Sequence, residues 1–168
     1  DFASALNGLS AVLGIRTVVL YSPMGERENF KGVVDILAGK ALSFDGNGGV
    51  IAGDIPADLA DEMAMLRETA VENIAECDDE LMEKYLEEGE LNPEEVAVGL
   101  RKGVLSGLLV PVIAVSGLEN KGAVPLMDSI EALLPSGLEH PAFESADGKS
   151  LVPAENGPAA CYVLQTVV

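Results

Sequence analysis

"VIAVSGLENKGAVPLMDSI", residues 112–130, is the stretch around which the rest of the chain is read. It opens as an apolar run, breaks at Ser116-Gly117, and resumes with Val124, Leu126, Met127 and Ile130 at helical spacing, a pattern that Leu133 and Leu134 continue beyond it. With the residues before it, the run reads "LLVPVIAV" over 108–115, apolar at consecutive rather than alternate positions. That pattern predicts a parallel strand covered on both faces, with Pro111 marking its start or an irregularity. A strand, a small-residue loop and then a helix is how many nucleotide-binding proteins aim backbone amides at a ligand. The question is where the phosphates of such a ligand would be held.

Working outward, "DFASALNGLSAVLG" carries Phe2, Leu6, Leu9 and Leu13 at helical spacing and stops at Gly14. "IRTVVLYSPMG" follows as a β-branched strand closed by a Pro/Gly turn, so the two make half of an α/β unit. Between residues 28 and 56, short β-prone runs are separated by Gly39-Lys40 and by Asp45-Gly46-Asn47-Gly48-Gly49, the chemistry of hairpin turns. A small, largely antiparallel sheet is expected there. From Pro56 the period changes to that of a helix, with Leu59, Met63, Leu66, Ala70, Ile74 and Cys77 on one stripe. The opposite stripe collects Asp58, Asp61, Glu62, Glu68, Glu72 and Glu76, interrupted by Met65. A second helix, "DDELMEKYLEEG", ends at Gly89, and Asn92-Pro93-Glu94-Glu95 opens a third through an Asn cap and a first-turn proline. Gly103 to Gly107 is expected to close that helix. After Pro135-Ser136-Gly137 the chain loses all periodicity through Gly157-Pro158 and reads as a linker, and Cys161–Val168 reads as a strand of a neighbouring domain.

Composition narrows the function classes. The 168 residues are 48% apolar, enough to bury a core, and no apolar run approaches the length of a bilayer. No signal-like segment opens the chain, and it starts without a methionine and ends in an apolar run, as a piece of something longer would. Two cysteines, Cys77 and Cys161, and one histidine, His140, argue against a zinc site and a disulfide framework and fit a reducing cytoplasm. Net charge is −18, and residues 54–100 concentrate it, with 16 acids against the two bases Arg67 and Lys84. Such a surface repels nucleic-acid phosphates and attracts basic proteins, although an acidic face also serves plain solubility.

Tests for self-contained chemistry fail one by one. The phosphate loop GxxxxGK[ST] is absent, since Val34 stands at the first-glycine position before Gly39-Lys40 and Ala41 follows. Asp45-Gly46-Asn47-Gly48 matches the loose DxxG string, but its place between two β runs makes it a hairpin turn, and it lacks the ligands of a calcium loop. Asn120-Lys121 begins like NKxD, yet Gly122-Ala123 follows and the base-reading carboxylate is missing. Cys77 lies on the apolar stripe of a helix, which fits an inert core thiol, and the carboxylates sit on solvated faces rather than in opposed environments. No catalytic residue and no metal ligand is assigned.

Five stretches, "LYSPMGERENFKGVVDILAGKALSF", "IPADLADEM", "DDELMEKYLEEGELNPEEV", "LRKGVLSGLLVPVIAVSGLENKGAVPLMDSIEALLPSG" and "GPAACYVLQTVV", resemble, in this order, successive segments of translation elongation factor G. The resemblance covers nearly the whole chain. It implies an α/β (α+β) fold in which part of a P-loop GTPase-type sheet is interrupted by a helix-rich inserted subdomain carrying a small antiparallel sheet. On this layout residues 1–25 belong to the GTPase domain, 26–107 to the insertion, 108–137 to the last strand, loop and helix of the GTPase domain, 138–158 to a linker and 159–168 to a following β-barrel. It also implies that Ser116-Gly117-Leu118 occupy the place of the family's last guanine-contacting motif, usually Ser-Ala-Lys or Ser-Ala-Leu, in which a backbone amide meets the guanine oxygen. Gly117 in place of alanine, and Leu164-Gln165 where the common factors have Phe-Lys, mark a divergent, secondary copy.

The same resemblance supplies partners. It implies a ribosome-associated, GTP-dependent elongation factor acting in translocation or recycling, with GTP or GDP and magnesium bound in the full-length parent and no cofactor in this chain alone. The insertion's acidic helix would meet the basic C-terminal domain of the ribosomal stalk protein through Asp61, Glu62, Glu68, Glu72 and Glu76. Membranes and specific nucleic-acid sequences are not expected partners. Two other readings stay open from the residues themselves: an acidic protein-binding adaptor module without nucleotide chemistry, and a small hydrolase, which would need a buried carboxylate pair.

Overall fold

A computed structural model describes residues 2–45, 49–139 and 142–157. The chain divides into two compact units, Asp1–Leu134 and Pro135–Val168. In the first, helix α1 (Phe2–Leu13) leads into strand β1 (Thr17–Met24), followed by strands β2 (Gly32–Asp35), β3 (Lys40–Phe44) and β4 (Val50–Gly53). Three helices come next, α2 (Ala60–Ala75), α3 (Asp79–Glu88) and α4 (Pro93–Leu105), then strand β5 (Val110–Ile113) and helix α5 (Ala123–Leu133). The architecture is mixed α/β, as the alternation of periods predicts.

The strands form one sheet in the order β4-β3-β2-β1-β5. β1 is the pivot. On one side it runs antiparallel to β2, with Tyr21 opposite Asp35, and on the other parallel to β5, with Thr17, Val18 and Val19 opposite Val110, Pro111 and Val112. The antiparallel strands expected as a small sheet of their own are thus a meander hydrogen-bonded onto β1, continuous with the parallel pair. Among the described residues β5 stands at the end of the strand order, with β1 as its neighbour.

The core lies between this sheet and α2, α4 and α5. Val18, Leu20, Val34, Ile36, Met63, Ile74, Leu100, Leu109 and Leu133 are buried in a single cluster. The α2 stripe expected from spacing is the buried one: Met63, Ala70 and Ile74 are enclosed, while Leu59, Leu66 and Cys77 pack partly buried at its margin. Each aliphatic side chain fully removed from water contributes roughly 1.5–3 kcal/mol. Asn73 fixes the helix lengthwise, its Nδ2 donating to the Thr17 carbonyl at 3.3 Å.

The caps also follow the local signals. Asn92 accepts from the Glu95 amide at 2.9 Å while the Glu95 carboxylate accepts from the Asn92 amide at 3.0 Å, a reciprocal capping box with Pro93 in the first turn. Lys84 of α3 reaches the same Glu95 carboxylate at 2.5 Å and ties the two helices together. α4 ends at Leu105 with Ser106 as its C-cap, inside the Gly103–Gly107 stretch expected to close it. Gly103 has a packing role as well: a Cβ there would lie 2.6 Å from Leu109 Cδ1 and 3.1 Å from Cys77 Sγ. One expectation needs correction, because β5 is not covered on both faces: Val110 is exposed and Pro111, Val112 and Ile113 are only half-buried.

The second unit, expected as an aperiodic linker, holds a short hairpin of β6 (Phe143–Glu144) and β7 (Ser150–Leu151). Ser145 closes it, its hydroxyl donating to Asp147 at 2.6 Å and accepting from the Lys149 amide at 3.0 Å. His140, the strand expected over 159–168 with Leu164-Gln165, and Gly46, Asn47 and Gly48 of the DxxG-like turn lie outside the described residues.

Candidate functional site

The loop after β5 is a closed hairpin rather than an open turn. Ser116 and Lys121 exchange backbone hydrogen bonds, 2.9 Å from the Ser116 amide to the Lys121 carbonyl and 3.1 Å in return. The Ser116 hydroxyl sits 3.4 Å from the Glu119 amide, so its oxygen faces into the loop. Gly117 has open space where a Cβ would stand, and Leu118 is 98% exposed, which leaves the tip of the loop on the surface. Gly122 ends the hairpin at φ +83° and starts α5; its Cα hydrogens face the Ala114 carbonyl, 2.8 Å from where a Cβ would be. Only glycine satisfies both the left-handed backbone and the close approach.

One side chain locks this loop to a distant part of the chain. Lys121 Nζ donates to the Phe30 carbonyl at 2.7 Å, pairs with Glu119 at 2.5 Å, and stands 5.9 Å from the centre of the Phe30 ring. Phe30 ends the short 3-10 turn Arg27–Asn29 that leads into β2, so the lysine bridges the loop after β5 and the turn before β2. In the sequence Lys121 stands out only as the second residue of an incomplete NKxD string. Its partner lies 91 residues away, and no local pattern announces it.

The acidic face is real as a surface. Asp61, Glu62, Glu68, Glu72 and Glu76 are all exposed, on the side of α2 opposite Met63, Ala70 and Ile74. Met65 lies among them and is 69% exposed, an apolar spot in an acidic field. The five are not equivalent. Glu76 stands just past the last turn and pairs with Arg16 at 2.6 Å, whereas Glu68 and Glu72 lie near Tyr85 of α3. Burial, then the charges of Glu72 and Glu68, push the Tyr85 hydroxyl above the usual tyrosine range. Asp61 and Glu62 fall in the first turn, where the helix dipole favours negative charge irrespective of any partner.

Cys77 is half-buried, its thiol donates to the Asn73 carbonyl at 3.2 Å, and burial raises its pKa, which makes it a poor nucleophile. Among the described residues no three metal-ligating side chains converge, and no helix is long and apolar enough to cross a membrane.

No protein-family model matches the chain. Among solved structures it is similar to the crystal structure of a Thermus thermophilus protein, with 31% identity and a TM-score of 0.75 over 84% of this chain. The match takes in 22% of that protein, so the chain spans about a fifth of the length of the structure it resembles.

Proposed function

We propose that the chain is a piece of a ribosome-associated, GTP-dependent translation factor of the elongation factor G type, comprising the tail of its GTPase domain and the subdomain inserted into it. The observation that carries the reading is topological. β1 and β5 are adjacent parallel strands, yet residues 25–109 intervene as an antiparallel meander and three helices instead of a single crossover. An insertion between neighbouring strands has that form. The incomplete burial of β5 fits it, because a parallel strand of this composition ordinarily has both faces covered.

On this reading residues 1–25 and 108–137 are GTPase domain, 26–107 the insertion, 138–158 the connection and 159–168 the start of a β-barrel. Ser116, Gly117 and Leu118 form the base-side wall of a guanine pocket whose phosphate-holding and magnesium-holding residues lie outside this chain. GTP, GDP and magnesium therefore belong to the parent. This chain alone has no means of hydrolysing GTP, and calorimetry with GTP should give no binding; a micromolar Kd would contradict the assignment. The setting is the cytoplasm and the partner the ribosome.

The acidic face of α2 is the contact for the basic C-terminal domain of the ribosomal stalk protein. Attraction between opposite surfaces of this kind acts chiefly on the association rate and weakens with salt. An NMR titration of the labelled chain with that domain, repeated with Glu68→Lys and Glu72→Lys together, tests the contact. Loss of the shifts on α2 is the expected outcome, and binding unchanged by the double reversal removes it.

A further inference from the structure

Among the described residues, two other than glycine hold a left-handed backbone: Asn120 in the loop after β5 and Arg27 in the turn before β2, both at φ +52°. Asparagine tolerates that conformation, whereas arginine has no local compensation for it. A backbone of this kind persists where its surroundings over-determine it. The Arg27 turn is closed by its own bonds, from the Asn29 amide to the Glu26 carbonyl at 2.9 Å, from Phe30 to Arg27 at 3.2 Å and from Lys31 to Met24 at 2.9 Å. Lys121 adds a tie from outside. Its backbone closes the loop against Ser116, and its ammonium holds the carbonyl of Phe30, the residue that ends the Arg27 turn. The lysine side chain is only 26% exposed, so water competes weakly for that bond.

Neither end of this tie has slack. A Cβ on Gly32 would run into the Leu42 carbonyl, so β2 lies tight on β3 just beyond Phe30. Gly122, next to Lys121, lies close against the Ala114 carbonyl. Closely packed elements pass a displacement on instead of absorbing it. We propose that Lys121 makes the loop after β5 and the turn before β2 one opening unit. A ligand resting on Ser116, Gly117 and Leu118 then changes the state of the antiparallel meander, and a partner of the meander changes the loop. Opening of the loop withdraws the ammonium from the Phe30 carbonyl, and the Arg27 turn loses the contact that ties it to the loop. The effect is reciprocal, because one equilibrium is biased from both ends. That the ligand is a guanine base rests on the base-side reading of the loop; the coupling itself does not.

The test is native-state amide exchange followed by NMR on the whole chain, without nucleotide. Asn120→Val puts a β-branched residue on a left-handed backbone and should speed exchange at the amides of residues 116 and 121 roughly tenfold. With Lys121 present, the Phe30 and Lys31 amides should follow, by about threefold. In a Lys121→Met background the same substitution should act on the loop alone. The difference between the two backgrounds is the coupling, and a lysine that merely anchors its own loop does not produce it. Arg27→Gly approaches from the other end: it relieves the turn and should slow exchange at residues 116 and 121 about twofold, again only where Lys121 is present. Unchanged protection at Val18, Val19 and Leu20 will report an intact fold; should Asn120→Val lose it, Arg27→Gly decides alone. No response at Phe30 and Lys31 with the lysine in place, or a response that persists without it, would overturn the proposal. Either result leaves the base-side reading standing, since that reading depends on guanine binding by the parent.

Discussion

β1 and β5 are parallel neighbours in one sheet and both largely apolar, yet they live in different surroundings. β1 has β2 on one side, β5 on the other and α2 across its face, and Val18, Val19 and Leu20 are buried. Among the described residues β5 pairs with β1 alone, and none of its four residues is buried. The same kind of sequence thus yields a core strand in one place and an open edge in the other. An apolar run encodes a demand for cover. Whether the cover is present depends on what else the sheet contains.

The largest test of this contrast is a matched pair of truncations. Leu20→Ala, in β1, should cost about 2–5 kcal/mol in urea unfolding, as buried leucine truncations do. Val110→Ala on β5 should cost less than about 1 kcal/mol, because the side chain is already exposed. Equal losses would break the comparison. Next in size is Gly103→Val, which puts methyl groups against Leu109 just before β5 and should destabilise by about 1–3 kcal/mol. If it is neutral, the close approach of α4 to the residue leading into β5 is not a constraint.

A smaller effect sharpens the contrast at the end of β5. Lys121→Met removes the bond to the Phe30 carbonyl and should cost about 1 kcal/mol, the usual net worth of a hydrogen bond at a partly buried site. Amide exchange should accelerate over residues 116–121 and at the start of β2 together, while β1 stays protected. Acceleration in the loop alone would show that the lysine does not couple the two regions. The smallest expected effect is electrostatic and lies far from both strands. The Lys84 ammonium beside Glu95 and the Lys102 ammonium beside Asp78 hold both carboxyls below the usual carboxylate range. Stability from such groups is present above the unfolded pKa of about 4 and is lost as pH falls through the depressed folded values. Thermal melts followed by circular dichroism should therefore decline slightly on acidification from about pH 5 to 3, and Glu95→Gln should flatten part of that slope. Both pairs lie at the surface, where water screens them, so a steep collapse confined to these two carboxyls would contradict the assignment.

Much of the fold was legible because its signals are local. The α2 stripe from Leu59 to Cys77, the stop at Gly89 and the Asn92 cap each depend on residues within a turn or two of one another. The features that escaped share the opposite character. Gly103 is a packing residue whose reason, Leu109 and Cys77, comes from other elements. The joining of the meander to β1 depends on Tyr21 meeting Asp35, a pairing with no sequence mark. The candidate loop was legible at Ser116-Gly117 from the break in the apolar run, but the latch from Lys121 to Phe30 was not. Long-range partners are set by topology, and composition carries no record of them.

The central claim is that β5 is an inner strand of a GTPase sheet and that the loop after it faces guanine. The most direct measurement is to read the coding sequence upstream of Asp1 in the parent gene. The predicted result is an NKxD motif immediately before Asp1, whose strand would complete the β5 edge, and a GxxxxGK[ST] loop further upstream. An upstream sequence containing neither motif, or a reading frame that opens at Asp1, would contradict it.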